Sequence, residues 1–152
     1  MPAAPGPIRD RILEISRLFD ANTRDLGAFA ARGGRVTWLH GHDDASVSLH
    51  ENRRDAQAIR ARMGAEAADR FLRHFEIPGL AHGNGAFSPE LESLAALDAW
   101  VENGTPPDAL TVTDGTRSAT RGRTRPLCAF PTWPKYRGGD VNQAASFACV
   151  AE

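Results

Sequence analysis

GGRVTWLHGHDD (residues 33–44) and FEIPGLAHGNG (residues 75–85) are the two stretches on which the fold turns. In the first, Val36-Thr37-Trp38-Leu39 is a short β-branched and aromatic run, the composition of a buried strand. It opens into a polar loop holding Asp43 and Asp44. In the second, Phe71 to Ile77 reads as a strand that Pro78-Gly79 breaks, and a loop with His82 follows. Between them, Glu51 to Met63 is a charge-rich, largely solvated helix closed by Gly64. After them, Ser88 is placed to cap a helix with Leu91, Leu94, Ala95, Leu97, Trp100 and Val101 on its apolar side. Asn103-Gly104 ends that helix, and Pro106-Pro107 prevents its continuation. Strand, acidic loop, helix, strand, histidine loop, helix: this order predicts an α/β fold with two successive βα units of a parallel sheet. Functional groups of such sheets lie beyond the strand C-termini. That puts Asp43 or Asp44 and His82 on one edge.

The rest of the chain bounds the answer. Its 152 residues suit one domain or a piece of one, and 41% hydrophobic with 24% charged residues is ordinary for a globular protein. No apolar run reaches the roughly 18 residues of a membrane span, and the start lacks a secretory pattern. The expectation is no membrane partner, with the compartment left unknown. A net charge of −1 gives no whole-chain argument for nucleic acid. Residues 1–7 read as a proline-rich disordered lead-in. From Ile8 to Phe19 the apolar spacing predicts a helix with one buried face, and around Asp25, Leu26 and Phe29 a further helical turn stops at Gly33-Gly34. In the tail, Leu110 to Thr113 and Arg121 to Arg125 are candidates for paired short strands around Asp114-Gly115. Beyond Pro126 the chain reads as loop, with a helical turn near Val141 to Phe147. Cys128 and Cys149 are the only cysteines, enough for one disulfide and too few for a four-cysteine zinc site.

An acid followed by a histidine matches the chain order of the last two triad members in α/β-hydrolases. Four strings in one order, GGRVTWLHGHDD, FEIPGLAHGNG, LAALDAWVENGTPPDAL and RTRPLCAFPTWPKY, closely resemble the C-terminal part of the tannase and feruloyl esterase family. The resemblance runs from about Asp25 to Cys149. It implies the C-terminal part of an α/β-hydrolase catalytic domain over residues 25–152, after an N-terminal lead-in and helix over residues 1–24. His40-Gly41-His42-Asp43-Asp44 resembles the family's HGxxD loop, whose last Asp is the triad acid, here Asp44. Pro78-Gly79-Leu80-Ala81-His82 resembles its PGxxH segment, whose histidine falls on His82. His42 and Asp43 are then rim residues. The resemblance also implies a Cys128–Cys149 disulfide, an aromatic or phenolic ester as substrate, and secreted or periplasmic relatives. No cofactor is expected here, because the family's calcium site belongs to a lid domain that these residues do not include.

Three departures stand out. Gly83 occupies the position after the triad histidine where the family usually has a cysteine, and Asp55-Ala56 replace an aromatic pair. None of the serines, Ser16, Ser46, Ser48, Ser88, Ser93, Ser118 and Ser146, lies in a nucleophile elbow. The chain is therefore expected to supply only Asp44 and His82 to a Ser-His-Asp triad and to be inactive alone. The alternative is an inactive remnant or an interaction module. His40-x-His42-x-Asp44 also fits a zinc-ligand string lacking its final histidine. From Gly115 to Gly139 there are six basic residues and no acid, readable as a phosphate-binding patch or as a solvated arginine-rich loop.

Overall fold

The computed structural model describes residues 6–20, 24–83, 85–116 and 118–151. Most of the proline-rich lead-in, residues 1–5, lies outside the described residues, as does Arg117 of the basic stretch.

β1 (Val36–Gly41) and β2 (Leu72–Ile77) are parallel neighbours, in register from Val36 opposite Leu72 to Gly41 opposite Ile77. Parallel strands need a crossover. Here, after the helices α1 (Pro7–Phe19) and α2 (Gly27–Ala31) that precede β1, it is α3 (Leu49–Met63) followed by the short α4 (Ala65–Asp69), with Gly64 between them. α3 begins two residues earlier than the sequence reading placed it. Ser48 caps it, its Oγ accepting from the Glu51 amide at 3.4 Å, and Ser48-x-x-Glu51 is the spacing of a capping box. Its buried residues, Leu49, Asn52, Ala56 and Ile59, share one face; Glu51, Arg54 and Arg62 are exposed as expected, whereas Arg53, Asp55 and Arg60 are half-buried in ion pairs. Asp55 pairs with Arg24, and Arg53 grips both carboxylate oxygens of Glu76 at 2.6 Å, tying α3 to the end of β2.

A second layer is antiparallel. β3 (Pro89–Glu90) pairs with β4 (Ala109–Asp114), and β4 with β5 (Thr124–Cys128). An antiparallel bridge between Phe75 and Ala129 joins this layer to β2. Phe75, Ile77, Phe87, Leu110, Val112 and Leu127 form one core cluster at that junction, and Ile59, Ala68, Phe71 and Leu72 form another under α3. β6 (Trp133–Tyr136) and β7 (Phe147–Val150) close the described chain as an antiparallel pair. Cys128 and Cys149 form a disulfide with Cα atoms 5.5 Å apart, which pins β7 to β5.

Several expectations are corrected. The helix over 8–19 exists as α1 (Pro7–Phe19), but no residue of it is buried, and Ile8 and Phe19 are 76% and 82% exposed. Periodicity makes a helix amphipathic; burying it takes a partner surface, and among the described residues none covers it. Ser88 does not cap the next helix. α5 (Ser93–Asn103) starts after Glu92, because the Ser88 amide is engaged by Asp114 and Pro89-Glu90 pair with β4. Leu94 and Val101 lie on its exposed side, while Trp100 is 1% exposed. The second tail strand starts at Thr124 and not Arg121, because Gly122 donates to the Asp114 carbonyl in a turn. Beyond Pro126, where loop was expected, the end of β5 and the short strands β6 and β7 interrupt the loop, and the helical turn shrinks to a 3₁₀ turn, Ala144–Ser146. The basic stretch is not simply solvated. Arg123 lies over the Phe87 ring at 5.2 Å and Arg125 over Phe147 at 4.7 Å.

His74 in the middle of β2 carries a pH dependence. It is 3% exposed between the rings of Trp38 and Phe130, and neither ring nitrogen has a hydrogen-bond partner among the described residues. Burial pushes its pKa down to about 4, helped by His40 and opposed by Glu76. The folded state therefore keeps the ring neutral where the unfolded chain protonates it. As pH falls from 6.5 to about 4, His74 is expected to withdraw up to roughly 3 kcal/mol of stability, with no further loss below that window. Urea unfolding across that range checks this. The pH slope of His74→Phe should be flatter than that of the parent, and equal slopes would refute the assignment.

Candidate active site

Because β1 and β2 are parallel, their C-terminal ends open on the same edge, and each feeds one loop. The two loops are pressed together. The His42 amide donates to the Ile77 carbonyl at 2.9 Å, and the Asp43 amide to the Leu80 carbonyl at 3.0 Å. A Cβ at Gly41 would lie 2.5 Å from the Leu80 oxygen, so only glycine allows this approach.

That contact aims Asp44 at the neighbouring loop. Oδ1 of Asp44 accepts from the amides of Ser46 at 2.8 Å and Val47 at 2.9 Å, an Asx-type turn leading into the α3 cap. Oδ2 is left facing His82 Nδ1 at 3.0 Å. The Asp44 side chain is 9% exposed and that of His82 66%. The bond to His82, with the Val47 and Ser46 amides, outweighs burial and holds the Asp44 carboxyl down at about 2. It stays ionised throughout the physiological range.

The structure thus brings Asp44 and His82 together and leaves Asp43 apart. Asp43 points into solvent, where its nearest partner is His42 Nδ1 at 3.3 Å. His40 is buried below, its Nε2 directed at the Val47 carbonyl at 3.2 Å. His40, His42 and Asp44 therefore diverge, and among the described residues no three His, Cys, Asp or Glu side chains gather as a metal site. Cys128 and Cys149 serve the tail.

His82 rides on a narrow loop. Gly79 turns the chain with φ +76°, Leu80 bridges to Gly85, and the Phe87 amide closes the base on the Gly79 carbonyl at 3.1 Å. Gly83, one of the departures from the family that the chain resembles, has φ +79° and open space at its Cβ position. The Nε2 edge of His82 makes no hydrogen bond among the described residues. The sequence reading missed the Ser46 and Val47 amides, although Asp44-Ala45-Ser46 ahead of a helix cap is a recognisable Asx-turn pattern. It also missed Asp114, which is fully buried and bonds to the return limb of this loop. A carboxylate that fixes one imidazole tautomer, with the other ring nitrogen open, is arranged to act as a general base.

Residues 4–150 match the family described as "Tannase and feruloyl esterase". An esterase of Agrobacterium fabrum is 51% identical over 147 residues, covering 96% of this chain and 27% of that protein. The mono(2-hydroxyethyl) terephthalate hydrolase of Piscinibacter sakaiensis is 38% identical over 135 residues, 86% of this chain and 22% of its own length. The crystal structure of feruloyl esterase B from Aspergillus oryzae superposes with a TM-score of 0.75 at 26% identity, covering 84% of this chain and 29% of that one. This chain spans about a quarter of the length of the curated relatives it matches.

Proposed function

The chain belongs to the tannase and feruloyl esterase family, and from that premise we propose that it takes part in carboxylic ester hydrolysis as the acid and base of a Ser-His-Asp triad. In this reading Asp44 is the acid, His82 is the base, and the substrate is an ester of an aromatic or phenolic acid. The observation that carries it is the 3.0 Å contact between Asp44 Oδ2 and His82 Nδ1 at the ends of adjacent parallel strands. Asp44 accepts the Nδ1 proton, so the Nε2 lone pair of His82 points outward. From there it takes the proton of a serine hydroxyl as the oxygen attacks the ester carbonyl. The imidazolium that forms is stabilised by the adjacent carboxylate, and it then returns its proton to the leaving alcohol. Water deacylates the enzyme by the same exchange.

None of the seven serines stands where this chemistry needs one, so the nucleophile comes from outside these 152 residues, in the same polypeptide or another. The part of the Agrobacterium fabrum esterase that this chain does not match supplies the test. Mixed or fused with this chain, it should hydrolyse a methyl ester of an aromatic acid, while the chain alone should not. Turnover by the isolated chain that His82→Ala abolishes would overturn the need for an external nucleophile. A folded hybrid without turnover would favour the inactive remnant.

A further inference from the structure

Asp114 ends β4, outside the Asp44–His82 pair, and its carboxylate is completely buried. A buried charge is costly unless several donors meet it. Oδ1 accepts the Ser88 amide at 3.0 Å. Oδ2 accepts the Ser118 hydroxyl at 2.8 Å, the Thr120 hydroxyl, and Arg123 Nη2 at 3.3 Å. Burial pushes the Asp114 carboxyl up, but the bonds from Thr120, Ser88 and Ser118 and the Arg123 charge prevail and hold it below its ordinary value.

These bonds converge on one target. Ser88 and Ala86 form the return limb of the His82 loop. Besides the Ser88 amide bond, the Gly115 amide donates to the Ser88 carbonyl at 2.7 Å, and Ser118 Oγ lies 3.4 Å from the Ala86 carbonyl. Phe87 between them is 3% exposed, plugs the core, and closes the loop base on Gly79. Arg123, held by Asp114, covers its ring. The outgoing limb is continuous with β2 and anchors itself to the Asp44 loop through Leu80. At the tip, the one side-chain bond among the described residues is the Asp44–His82 contact. The outgoing limb is thus held by the sheet, and the return limb by Asp114 together with the Phe87–Gly79 bond and the β3–β4 pairing.

We propose that Asp114 is a positioning residue for His82: by clamping residues 86–88 it sets where the loop tip stands, and hence whether the His82 ring meets Asp44 through Nδ1. This rests on reading the Asp44–His82 pair as the functional one. It assigns Asp114 no contact with substrate.

The test reads the ring itself on the full 152-residue chain. Long-range ¹H–¹⁵N correlation at alkaline pH reports which nitrogen of each neutral histidine carries the proton, and His82→Ala assigns the signals. In the parent, His82 should be the Nδ1–H tautomer imposed by Asp44, in contrast to the Nε2–H form a free imidazole favours. Asp114→Asn keeps the shape but turns an N–H toward a group of donors. It should cost His82 most of its Nδ1–H signature while His50, on the exposed face of α3, is unchanged. Thr120→Val and Ser118→Ala each remove one donor and should produce partial shifts in the same direction. They carry the test if Asp114→Asn does not fold. Folded variants with unmoved His82 nitrogens would overturn the proposal. The esterase reading fails separately, by absent turnover in the hybrid.

Discussion

His82→Ala in the hybrid enzyme is expected to lower kcat by at least about 10,000-fold with a far smaller change in KM, the pattern for loss of a triad base. Among the described residues the ring is the side chain in contact with Asp44 that has a second nitrogen open to act as a base. Asp44→Asn tests the other half. Asparagine keeps the Ser46 and Val47 amide bonds through its oxygen but turns an N–H toward Nδ1. That favours the wrong tautomer, and the loss should again be about 10,000-fold. The double variant should be little worse than His82→Ala alone, because the members of a triad act as one unit. Asp43→Asn is the control and should stay within about twofold of the parent, since the side chain is solvated and away from His82. Steady-state kinetics on an aromatic methyl ester, with circular dichroism of each variant, decides the matter. Equal losses at Asp43 and Asp44 would mean that the loop, and not one carboxylate, is being read.

Trp100→Ala should give the largest loss of stability of any single substitution here, about 3–5 kcal/mol as for other large aromatic deletions in cores. Trp100 is 1% exposed, on a helix that packs against β1. Its indole also serves two cations, with the guanidinium carbons of Arg35 and Arg73 5.8 and 5.5 Å from the ring. Arg73 is itself buried and reaches the carbonyls of Asp69 and Leu72 and the carboxylate of Asp108. Removing the indole leaves a void beside Arg35 and the buried Arg73, where transfer and cavity costs add to the lost cation–π contacts. Urea unfolding of the full chain measures it. A loss below about 1 kcal/mol would mean that the two arginines close over the gap and that α5 is held by other contacts. Trp100→Phe keeps an aromatic face for both cations and should recover at least half of the loss.

Much of the site was legible from local pattern. β-branched and aromatic runs located both strands, β2 to its last residue before Pro78-Gly79 and β1 to within two residues of its end at Gly41. The acid and the histidine just beyond them were readable because a parallel pair exposes its C-terminal ends on one edge. Choosing Asp44 over Asp43 was not available from the spacing alone, since neighbouring loop residues share the same composition signal. It came from family resemblance, as did the Cys128–Cys149 pairing.

What the sequence determined by itself is whatever depends on neighbours within a turn or a strand: the helical periodicity of α1, the glycine stops, and the alternation of strand and helix that makes an α/β chain. What only the tertiary structure decided depends on partners far along the chain. Ser88 has the composition of a helix cap, yet its amide goes to Asp114, and α5 begins five residues later. The tail reads as loop because β6 and β7 are only four residues each, and β6 contains Pro134 with Pro131 before it and Gly138-Gly139 after it. They become strands through pairing with each other and through the Cys128–Cys149 bond to β5. Asp43 and Asp44 are equals in sequence. They separate only when the Gly41–Leu80 contact presses two loops together and two backbone amides turn one carboxylate toward His82. Local propensity selects among conformations of a few residues. Which polar group is buried and which is left in water is settled by the surfaces that meet once the chain has folded.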